Sequence, residues 1–390
     1  MGAMSVTLGS ERLLASGALD GLRIGVVANP ASVDGSLRHI VDQLAAAPGV
    51  TLAAIFGPQH GFQADVQDNM IETAHAADRV RRVPVYSLYS ETREPTAEML
   101  AGIDRLVVDL QDVGARIYTF AYTMANCLRA ARRHGVRVAV CDRPNPIGGE
   151  AVEGPMLVPG YESFVGLFPI PMRHGLTIGE LARLFNEHFG IGADLEVVRM
   201  EGWQRRMYHD DTGLPWVMPS PNMPTLDTAI VYPGSVLFEG TLLSEGRGTT
   251  RPFEIVGMPG IDADRFAARM NELHLEGARF RPVYFEPTFQ KHAGRPCGGC
   301  QIHVTDRASF RPVRAAVSLL AEFRRASPGQ FAWRQPPYEY EYERMPIDIL
   351  AGSDEVRRQI EAGLRGPEIA AGWTAKVEAF LELRRRFLLY

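Results

Sequence analysis

The chain has 390 residues, 46% of them hydrophobic and 22% charged, which is the composition of a soluble globular protein long enough for two domains. No apolar run approaches the roughly 20 residues that span a bilayer, so this composition excludes a membrane-spanning protein. The net charge of −5 and the lack of a long basic tract argue against nucleic acid as a partner.

Strands alternate with helices through the first half of the chain. Short apolar runs and helical periodicity distinguish the two kinds of element, and Gly135 has the place of a helix C-cap. This alternation with short connections predicts an α/β domain built on a mostly parallel sheet. The predicted strands are 22–29, 51–56, 83–88, 105–110, 136–141 and 195–200, and the predicted helices are 36–47, 97–101, 118–134 and 178–189.

The pattern changes in the second half. Four prolines in residues 215–224 exclude regular helix or central strand there and predict a rigid, extended connector. We therefore predict a first domain at residues 5–235, which carries the active-site cleft, and a smaller α+β auxiliary domain at residues 236–390. In the auxiliary domain the predicted strands are 279–285 and 301–304, and the predicted helices are 263–274, 311–325, 353–364 and 370–388.

The sequence gives no sign of a cofactor or a metal. No G-x-G-x-x-G follows the first predicted strand, which disfavours a nicotinamide or flavin domain. Cys297 and Cys300 have C-x-x-C spacing, but no second pair follows, so a tight turn entering a strand is the simpler interpretation. His60 and His174 also lack a second ligand at metal spacing, and hydrogen bonding to a substrate is their better functional interpretation.

Polar side chains follow three of the predicted strands. Residues 57–62 (GPQHGF) follow the second strand, residues 109–118 the fourth and residues 142–146 (DRPNP) the fifth. Ligands of open α/β sheets bind outside the carboxyl ends of the strands. The three polar tips therefore predict one cleft, with the polar segment 59–80 as an ordered loop at its edge.

Each candidate residue in this cleft has a structural alternative. Asp109 and Asp112 could be catalytic carboxylates, or could cap a helix or fix a turn. Arg116 and Tyr118 could bind a substrate carboxylate or a sugar hydroxyl, and Arg116 could instead pair with those aspartates. Three further polar side chains lie at a strand end that Pro144 and Pro146 stiffen, which suits a site that must hold its geometry: Asp142, Arg143 and Asn145.

Two further segments carry candidates. Glu153 lies in a glycine-rich loop and could be a general acid whose pKa rises on burial, or an exposed surface glutamate. Glu245 and Arg247 belong to the dense polar run 238–254, which falls where the two domains should meet. Interdomain clefts are preferred ligand sites, although such a segment could equally pin a hinge.

Several runs together resemble the bacterial exo-β-N-acetylmuramidase family, formerly a domain family of unknown function. They span roughly the first two thirds of the chain. The matching runs are GPQHGF (57–62), YSLYSETREPT (86–96), DLQDVGARIYTF (109–120), DRPNPIGG (142–149), VEGP (152–155), PMRHGLTIGE (171–180), PSPNMPTLDTAIVYPG (219–234) and FEGTLLSEGRGTTRPFE (238–254).

This resemblance implies a Rossmann-like domain with the active-site pocket, a smaller auxiliary domain and a reaction without a metal. It also implies release of N-acetylmuramic acid from the non-reducing end of peptidoglycan fragments. One position departs from the family, because many relatives have Glu where this chain has Gln59. An amide cannot transfer a proton at neutral pH, so position 59 only binds substrate, or specificity has shifted, or activity is weak.

The sequence therefore predicts a glycoside hydrolase that acts on a muramyl saccharide. Glu153 is the candidate general acid, with Asp109 or Asp112, or the substrate's own acetamido group, as its partner. Arg116, Arg143 and His60 are expected near the lactyl carboxylate or hydroxyls. The remaining substrate-binding candidates are Gln59, Tyr118, Asp142, Asn145 (near the N-acetyl group), His174, Glu245 and Arg247.

Two alternatives from other classes stay open at this point. A binding protein could capture cell-wall fragments without cleaving them, and a nucleotide-using enzyme could share the same sheet. The oligomeric state stays undetermined. No charged segment followed by an apolar one opens the chain, so the compartment is cytoplasmic unless a leader has been removed from a periplasmic or secreted protein.

Overall fold

The structure is a computed structural model, and it describes residues 6–68 and 70–390. The first five residues, on which the expectation about a leader rests, lie outside the described part. Of the helices in the described part, none has both the length and the apolar character needed to cross a bilayer.

A seven-stranded sheet forms the centre of the first half, in the order β3-β4-β2-β1-β5-β6-β9. Only β3 runs antiparallel to its neighbour. Counted along the chain, the six parallel strands follow the order 3-2-1-4-5-6 of a Rossmann fold, which confirms the predicted fold class. The strands are β1 (Arg23–Ala28), β2 (Thr51–Gly57), β3 (Ala76–Asp78), β4 (Val83–Ser87), β5 (Arg105–Asp109), β6 (Arg137–Cys141), β7 (Glu153–Met156), β8 (Pro171–Arg173), β9 (Leu195–Val198), β10 (Ile255–Met258), β11 (Ala278–Phe285) and β12 (Cys297–Val304).

Local signals explain where the helices begin and end. The Thr177 hydroxyl accepts from the Glu180 amide in a capping box, and Gly135 ends α4 in the left-handed region at φ 68°. The helices are α1 (Gly9–Ala15), α2 (Ile40–Ala46), α3 (Ala97–Leu100), α4 (Phe120–His134), α5 (Ile178–Arg183), α6 (Leu226–Ser235), α7 (Ala263–Asn271), α8 (Pro312–Ala326), α9 (Pro346–Ala351), α10 (Glu355–Glu361), α11 (Gly366–Ala371) and α12 (Thr374–Arg384).

The second half contains a smaller antiparallel sheet of three strands in the order β10-β12-β11, packed with helices α7 and α8. This arrangement confirms the predicted α+β auxiliary part. The boundary predicted at residue 236 stays a prediction, since one hydrophobic core runs from the parallel sheet into this region through residues such as Phe120, Phe238 and Phe323.

Several elements differ from the predictions. The C-x-x-C segment is part of β12 rather than a turn before it. Its glycines allow the neighbouring strand to approach closely, because a Cβ at Gly299 would lie 2.0 Å from the Val256 carbonyl oxygen of that strand. The predicted helix 178–189 changes to a π-helix at Leu184–His188. The predicted helix 370–388 divides into the end of α11 and α12. Strands β7 and β8 were not predicted, because they are short and form a separate two-stranded sheet outside the parallel one.

Candidate active site

A polar pocket lies where the loops after β2 and β5 meet the second half of the chain. We call it the inner pocket. Its walls include two buried glutamates, one arginine and several aromatic rings. The lining residues are Gln59, His60, Ile117, Tyr118, Thr119, Phe120, Val165, Ser220, Asn222, Met223, Tyr232, Glu239, Arg247, Phe253, Tyr338 and Glu339.

Glu239 is the first carboxylate of this pocket, and it is held as an anion. It accepts hydrogen bonds from Arg247 Nη2 at 2.7 Å and from the Tyr338 hydroxyl at 2.6 Å. Burial by itself would raise the pKa of Glu239, but Arg247 and the Tyr338 hydroxyl outweigh burial and hold the pKa below its ordinary value. Glu239 is therefore ionised at neutral pH.

Glu339 is the second carboxylate, and its environment acts in the opposite direction. The Tyr89 hydroxyl donates to Oε2 at 2.9 Å, and Gln59 Nε2 donates to Oε1 at 3.2 Å. Burial raises the pKa of Glu339, and the negative charge of Glu239 adds to that rise, while the two donors offset part of it. Two carboxyl groups whose environments separate their pKa values have the features of an acid and base pair.

The loop after β2 contributes two side chains with fixed orientations. Thr119 Oγ1 donates to Gln59 Oε1 at 2.7 Å, so the amide of Gln59 presents its NH₂ group to Glu339. His60 Nδ1 lies 2.8 Å from the Val66 carbonyl oxygen, and burial lowers the pKa of His60 to about 4. His60 is therefore a neutral imidazole at neutral pH, and Nε2 is the acceptor nitrogen.

The backbone of the pocket is strained. Four residues other than glycine adopt the left-handed region in or beside it: His60 at φ 71°, Phe253 at φ 65°, Glu339 at φ 46° and Tyr340 at φ 66°. Such residues are uncommon, and they persist where the surrounding structure holds them, often at functional sites. Their concentration here supports a functional interpretation of the pocket.

A second cavity, the outer cavity, adjoins the inner pocket at Glu339. It has a volume of about 490 Å³ and opens to the surface. The Arg93 guanidinium lies 4.2 Å from the ring centre of Tyr89 and 4.6 Å from that of Tyr340. Phe164 also lines this cavity, so an aromatic wall with a polar rim stands beside Glu339.

The structure brings four of the sequence-predicted residues to the inner pocket: Gln59, His60, Tyr118 and Arg247. Glu245 lies directly behind them, with Oε1 3.4 Å from Arg247 Nε and Oε2 2.7 Å from Lys291 Nζ. Glu245 thus supports the pocket wall without lining it.

Asp109 and Arg143 lie elsewhere and bind each other. Arg143 donates from Nε at 2.6 Å and from Nη2 at 2.8 Å to the two carboxylate oxygens of Asp109, and both residues are buried. This ion pair lies at the crevice between β1 and β5, where a Rossmann fold would hold its ligand. Trp216, from the proline-rich segment, packs against the crevice, which leaves only about 10 Å³.

The other candidates after β5 and β6 form structural contacts. Asp112 accepts from the Gly114 amide at 2.6 Å and lies 3.6 Å from Nε2 of buried His174. Asn145 donates to the Leu176 carbonyl oxygen at 2.9 Å, and it accepts from the Ile147 amide at 3.2 Å. The three residues brace the turns between the parallel sheet and β8.

Asp142 and Arg116 bind to the ends of helices. Asp142 accepts from the Gly179 amide and from the hydroxyls of Thr177 and Tyr390, each at 2.8 Å, at the start of α5. Burial, together with the charge of Glu180, raises the pKa of Asp142 to about 7. Arg116 donates from Nη2 to the last carbonyl oxygens of α9, and burial lowers the pKa of Arg116 to about 10.

Glu153 is buried, but it lines neither the inner pocket nor the outer cavity. Its oxygens accept from the Val313 amide at 3.2 Å and from the Arg314 amide at 2.7 Å, at the N-terminus of α8. A carboxylate at a helix N-terminus satisfies otherwise unpaired amides and interacts well with the helix dipole. The contacts of Glu153 are thus those of a cap between the two halves of the chain.

Sequence reasoning missed several pocket residues of the second half, above all Tyr338 and Glu339. They begin the alternating run YEYEYE at 338–343, which stands between Pro337 and the helix α9. Alternating tyrosine and glutamate in a short loop was a usable signal, because tyrosine can both contact a sugar and donate to a carboxylate. Within the described residues no group of three or more His, Cys, Asp or Glu side chains could hold a metal ion.

Comparisons with known proteins agree with this architecture. The family model described as exo-beta-N-acetylmuramidase NamZ, N-terminal, matches residues 24–227, and its C-terminal counterpart matches residues 230–390. Peptidoglycan beta-N-acetylmuramidase NamZ of Bacillus subtilis (strain 168) is 46% identical over 372 residues, which are 95% of this chain and 88% of that protein.

Two crystal structures of DUF1343 family proteins from Bacteroides fragilis NCTC 9343 have the same fold. One superposes with a TM-score of 0.90 at 34% identity, and the other with a TM-score of 0.76 at 29% identity. Each match covers 99% of this chain and 99% of the other chain.

Proposed function

This chain belongs to the exo-β-N-acetylmuramidase family, and we propose that the pair Glu239 and Glu339 is its catalytic centre. The chain is a glycoside hydrolase that releases N-acetylmuramic acid from the non-reducing end of peptidoglycan fragments. The observation that carries the assignment of the site is that one pocket holds two buried carboxyl groups in different environments: Glu239 is bound to the cation Arg247, whereas Glu339 accepts from the neutral donors Tyr89 and Gln59.

Glu339 is the general acid in this proposal. Its raised pKa favours the protonated carboxyl group that a general acid needs, and the Tyr89 and Gln59 donors fix its orientation. The proton passes from Glu339 to the glycosidic oxygen as the bond between that oxygen and C1 breaks. The leaving sugar then departs with a neutral hydroxyl group, which is a far better leaving group than an alkoxide.

Glu239 is the ionised partner. As C1 loses the leaving oxygen, positive charge develops on C1 and on the ring oxygen, and a carboxylate beside them stabilises that charge. Arg247 and Tyr338 hold the Glu239 carboxylate in place. Water then gives its oxygen to C1, and one of its protons returns to the carboxyl pair, so the enzyme is restored.

The two cavities suit an enzyme that removes terminal residues. The inner pocket has a free volume of only about 40 Å³, so a saccharide chain cannot pass through it. The outer cavity is larger and open, and its aromatic wall of Tyr340 and Phe164 suits the apolar face of the leaving sugar. Glu339 lines both cavities, as a group that protonates the bond between two sugars must.

Substitution of each glutamate tests the assignment. We expect Glu339→Gln and Glu239→Gln each to lower kcat/KM for a muramyl disaccharide by about 100-fold to 10,000-fold. The Glu339→Gln variant should lose much less activity on a 4-nitrophenyl muramide, because nitrophenolate leaves without protonation. Glu343→Gln is the matched control, since this glutamate is exposed in the same loop.

The proposal fails if Glu339→Gln, folded as judged by circular dichroism, hydrolyses the disaccharide as fast as the unmodified chain. The role of Glu339 as general acid also fails if Glu339→Gln lowers kcat/KM for the disaccharide and for the nitrophenyl substrate by the same factor. The effect of the substitution would then not depend on whether the leaving group needs a proton.

A further inference from the structure

Arg247 has two guanidinium nitrogens, Nε and Nη1, that make no hydrogen bond among the described residues, and of these Nε faces a carboxylate. Nη2 donates to Glu239 at 2.7 Å, and Nε faces Glu245 at 3.4 Å. Within the described part of the chain, Nη1 is buried and has no hydrogen-bond partner. The side chain as a whole is only 8% exposed, so bulk water cannot readily serve as the missing acceptor.

A buried guanidinium N–H group without an acceptor is costly, and folded proteins rarely keep one without a reason. Arg247 could not discard its charge to avoid this cost, since burial by itself lowers its pKa but Glu239 and Glu245 outweigh burial and raise it. Because Arg247 lines the inner pocket, a ligand in that pocket can supply the acceptor that the protein lacks.

The size of the inner pocket restricts what this ligand group can be. About 40 Å³ is open to the centre of a water molecule, which is room for about three waters. A short substituent of four or five heavy atoms fits that space, whereas a whole pyranose ring does not. The ring would therefore lie at the junction with the outer cavity, beside Glu339, with one of its substituents directed inward.

A muramyl residue has two short substituents that carry acceptors: the acetamido group and the lactyl ether arm with its carboxylate. The carboxylate is the stronger partner of a guanidinium group, because the hydrogen bond is assisted by charge. We propose that Arg247 Nη1 binds the lactyl carboxylate and thereby selects muramyl over glucosaminyl residues. This inference rests on the function proposed above.

The charges around Arg247 are compatible with an incoming anion. Arg247 and Lys291 provide two positive charges, which balance the carboxylates of Glu239 and Glu245. Lys291 is itself buried and donates to Glu245 and to the carbonyl oxygens of Phe238 and Leu243. The cluster therefore has no excess negative charge to repel the carboxylate of a substrate. The carboxylate would bind the cluster at the unpaired Nη1 of Arg247.

The outer cavity is a poor alternative for the lactyl carboxylate. Among the described residues that line it, the rim carries Glu72, Glu91, Glu162 and Glu341, against the single cation Arg93. Arg93 is already engaged, because it pairs with Glu72 at 3.3 Å and donates to the Ser90 carbonyl oxygen. An anionic arm would be repelled there, whereas a neutral sugar would not.

A substrate series on the unmodified protein is the first test. We would measure kcat/KM at pH 7 for 4-nitrophenyl N-acetylmuramide, for its lactyl amide and for 4-nitrophenyl N-acetylglucosaminide. The amide keeps the shape of the arm but removes its charge. We expect the free acid to exceed each of the other two by roughly 100-fold. Equal rates for the acid and the amide would overturn the proposal.

A variant then connects this selectivity to Arg247. Arg247→Met should lower the ratio of acid to amide to near one, and Arg247→Lys should retain part of that ratio. Arg247→Met also removes a hydrogen bond to Glu239. That loss should lower kcat/KM for the acid and for the amide by the same factor, so it does not change their ratio. Arg251→Met is the control, since Arg251 lies in the same loop, is half exposed and pairs with Glu254. An unchanged ratio in Arg247→Met would overturn the proposal.

Failure of this inference can be distinguished from failure of the proposed catalytic pair. If only the inference is wrong, Glu339→Gln remains inactive on the disaccharide while the acid and the amide react equally. If the catalytic pair is wrong, Glu339→Gln retains its activity whatever the substrate series shows.

Discussion

Gln59 donates a hydrogen bond from Nε2 to Oε1 of Glu339 at 3.2 Å, although 280 positions separate the two residues along the chain. The contact joins the loop after β2 to the loop before α9, and Thr119 fixes the direction of the amide. It gives position 59 a role that requires no proton transfer, because an amide can orient a neighbouring carboxyl group without exchanging a proton with it.

Gln59→Glu should shift the alkaline limb of the pH–rate profile upward by about one to two pH units. Two carboxyl groups at this distance share one proton, so the second carboxyl raises the pKa of the first. The measurement is kcat/KM on a muramyl disaccharide as a function of pH. Gln63→Glu adds the same charge at an exposed position of the same loop, and this control should leave the limb in place. If the alkaline limb of Gln59→Glu coincides with that of the unmodified chain, position 59 does not influence the pKa of Glu339.

The pH–rate profile of the unmodified chain should be bell-shaped, with each limb set by one glutamate. The general acid must keep its proton, so activity falls as the pH rises through the raised pKa of Glu339. The partner must be ionised, so activity falls as the pH drops through the lowered pKa of Glu239. The residual activity of Glu339→Gln on a nitrophenyl muramide should lack the alkaline limb. If that limb persists, another group is the acid.

Arg143→Met should lower the free energy of unfolding by about 3–5 kcal/mol, because it leaves the buried carboxylate of Asp109 without its partner. The double variant Asp109→Leu/Arg143→Met should recover most of that loss, since it removes both charges. Urea denaturation measures both effects. We expect kcat/KM of the folded Asp109→Leu/Arg143→Met protein to stay within about twofold of the unmodified value, and a loss beyond 100-fold would return Asp109 to the catalytic candidates.

Glu153→Ala should reduce stability on the order of 1–3 kcal/mol and leave kcat/KM unchanged. The substitution removes the acceptor of two amides at the start of α8, of which the Val313 amide is buried and the Arg314 amide is partly buried. Thermal and urea unfolding give the stability, and a disaccharide assay gives the activity. Glu150→Ala, at an exposed position in the same loop, is the control. An inactive but stably folded Glu153→Ala would instead support Glu153 as the general acid.

Stability should fall as the pH rises from about 4 to about 7, owing to Asp142. Its pKa is about 7 in the folded protein and near its ordinary value of 3.8 in the unfolded chain. In that window the folded state holds a proton that the unfolded state has lost, so each pH unit costs about 1.4 kcal/mol from this group. Asp142→Asn should remove this part of the slope in urea unfolding at several pH values. Asp194→Asn, at an exposed ion pair with Arg137, should not change it.

Periodicity and capping signals were enough to predict the mostly parallel sheet and most of its helices, and the family resemblance implied that the sheet is Rossmann-like. Strand β5 is five consecutive buried residues, and α4 ends at His134 with Gly135 as its C-cap. Both signals are local, because hydrogen bonds and apolar faces within an element depend on residues a few positions apart. Strands β7 and β8 escaped prediction, since short strands with glycine and proline owe their pairing to distant partners.

The sequence alone also determined which residue types could carry the chemistry, and its resemblance to one family determined the reaction. It could not determine which carboxylates face the substrate. The polar strand ends at Asp109 and Asp142 contain residue types that are common in active sites. In the structure, however, the Asp109 carboxylate pairs with Arg143 and the Asp142 carboxylate caps a helix. Only the tertiary structure decided that Glu239 and Glu339 share a pocket, because burial, charge pairing and pKa depend on neighbours that are distant in the chain.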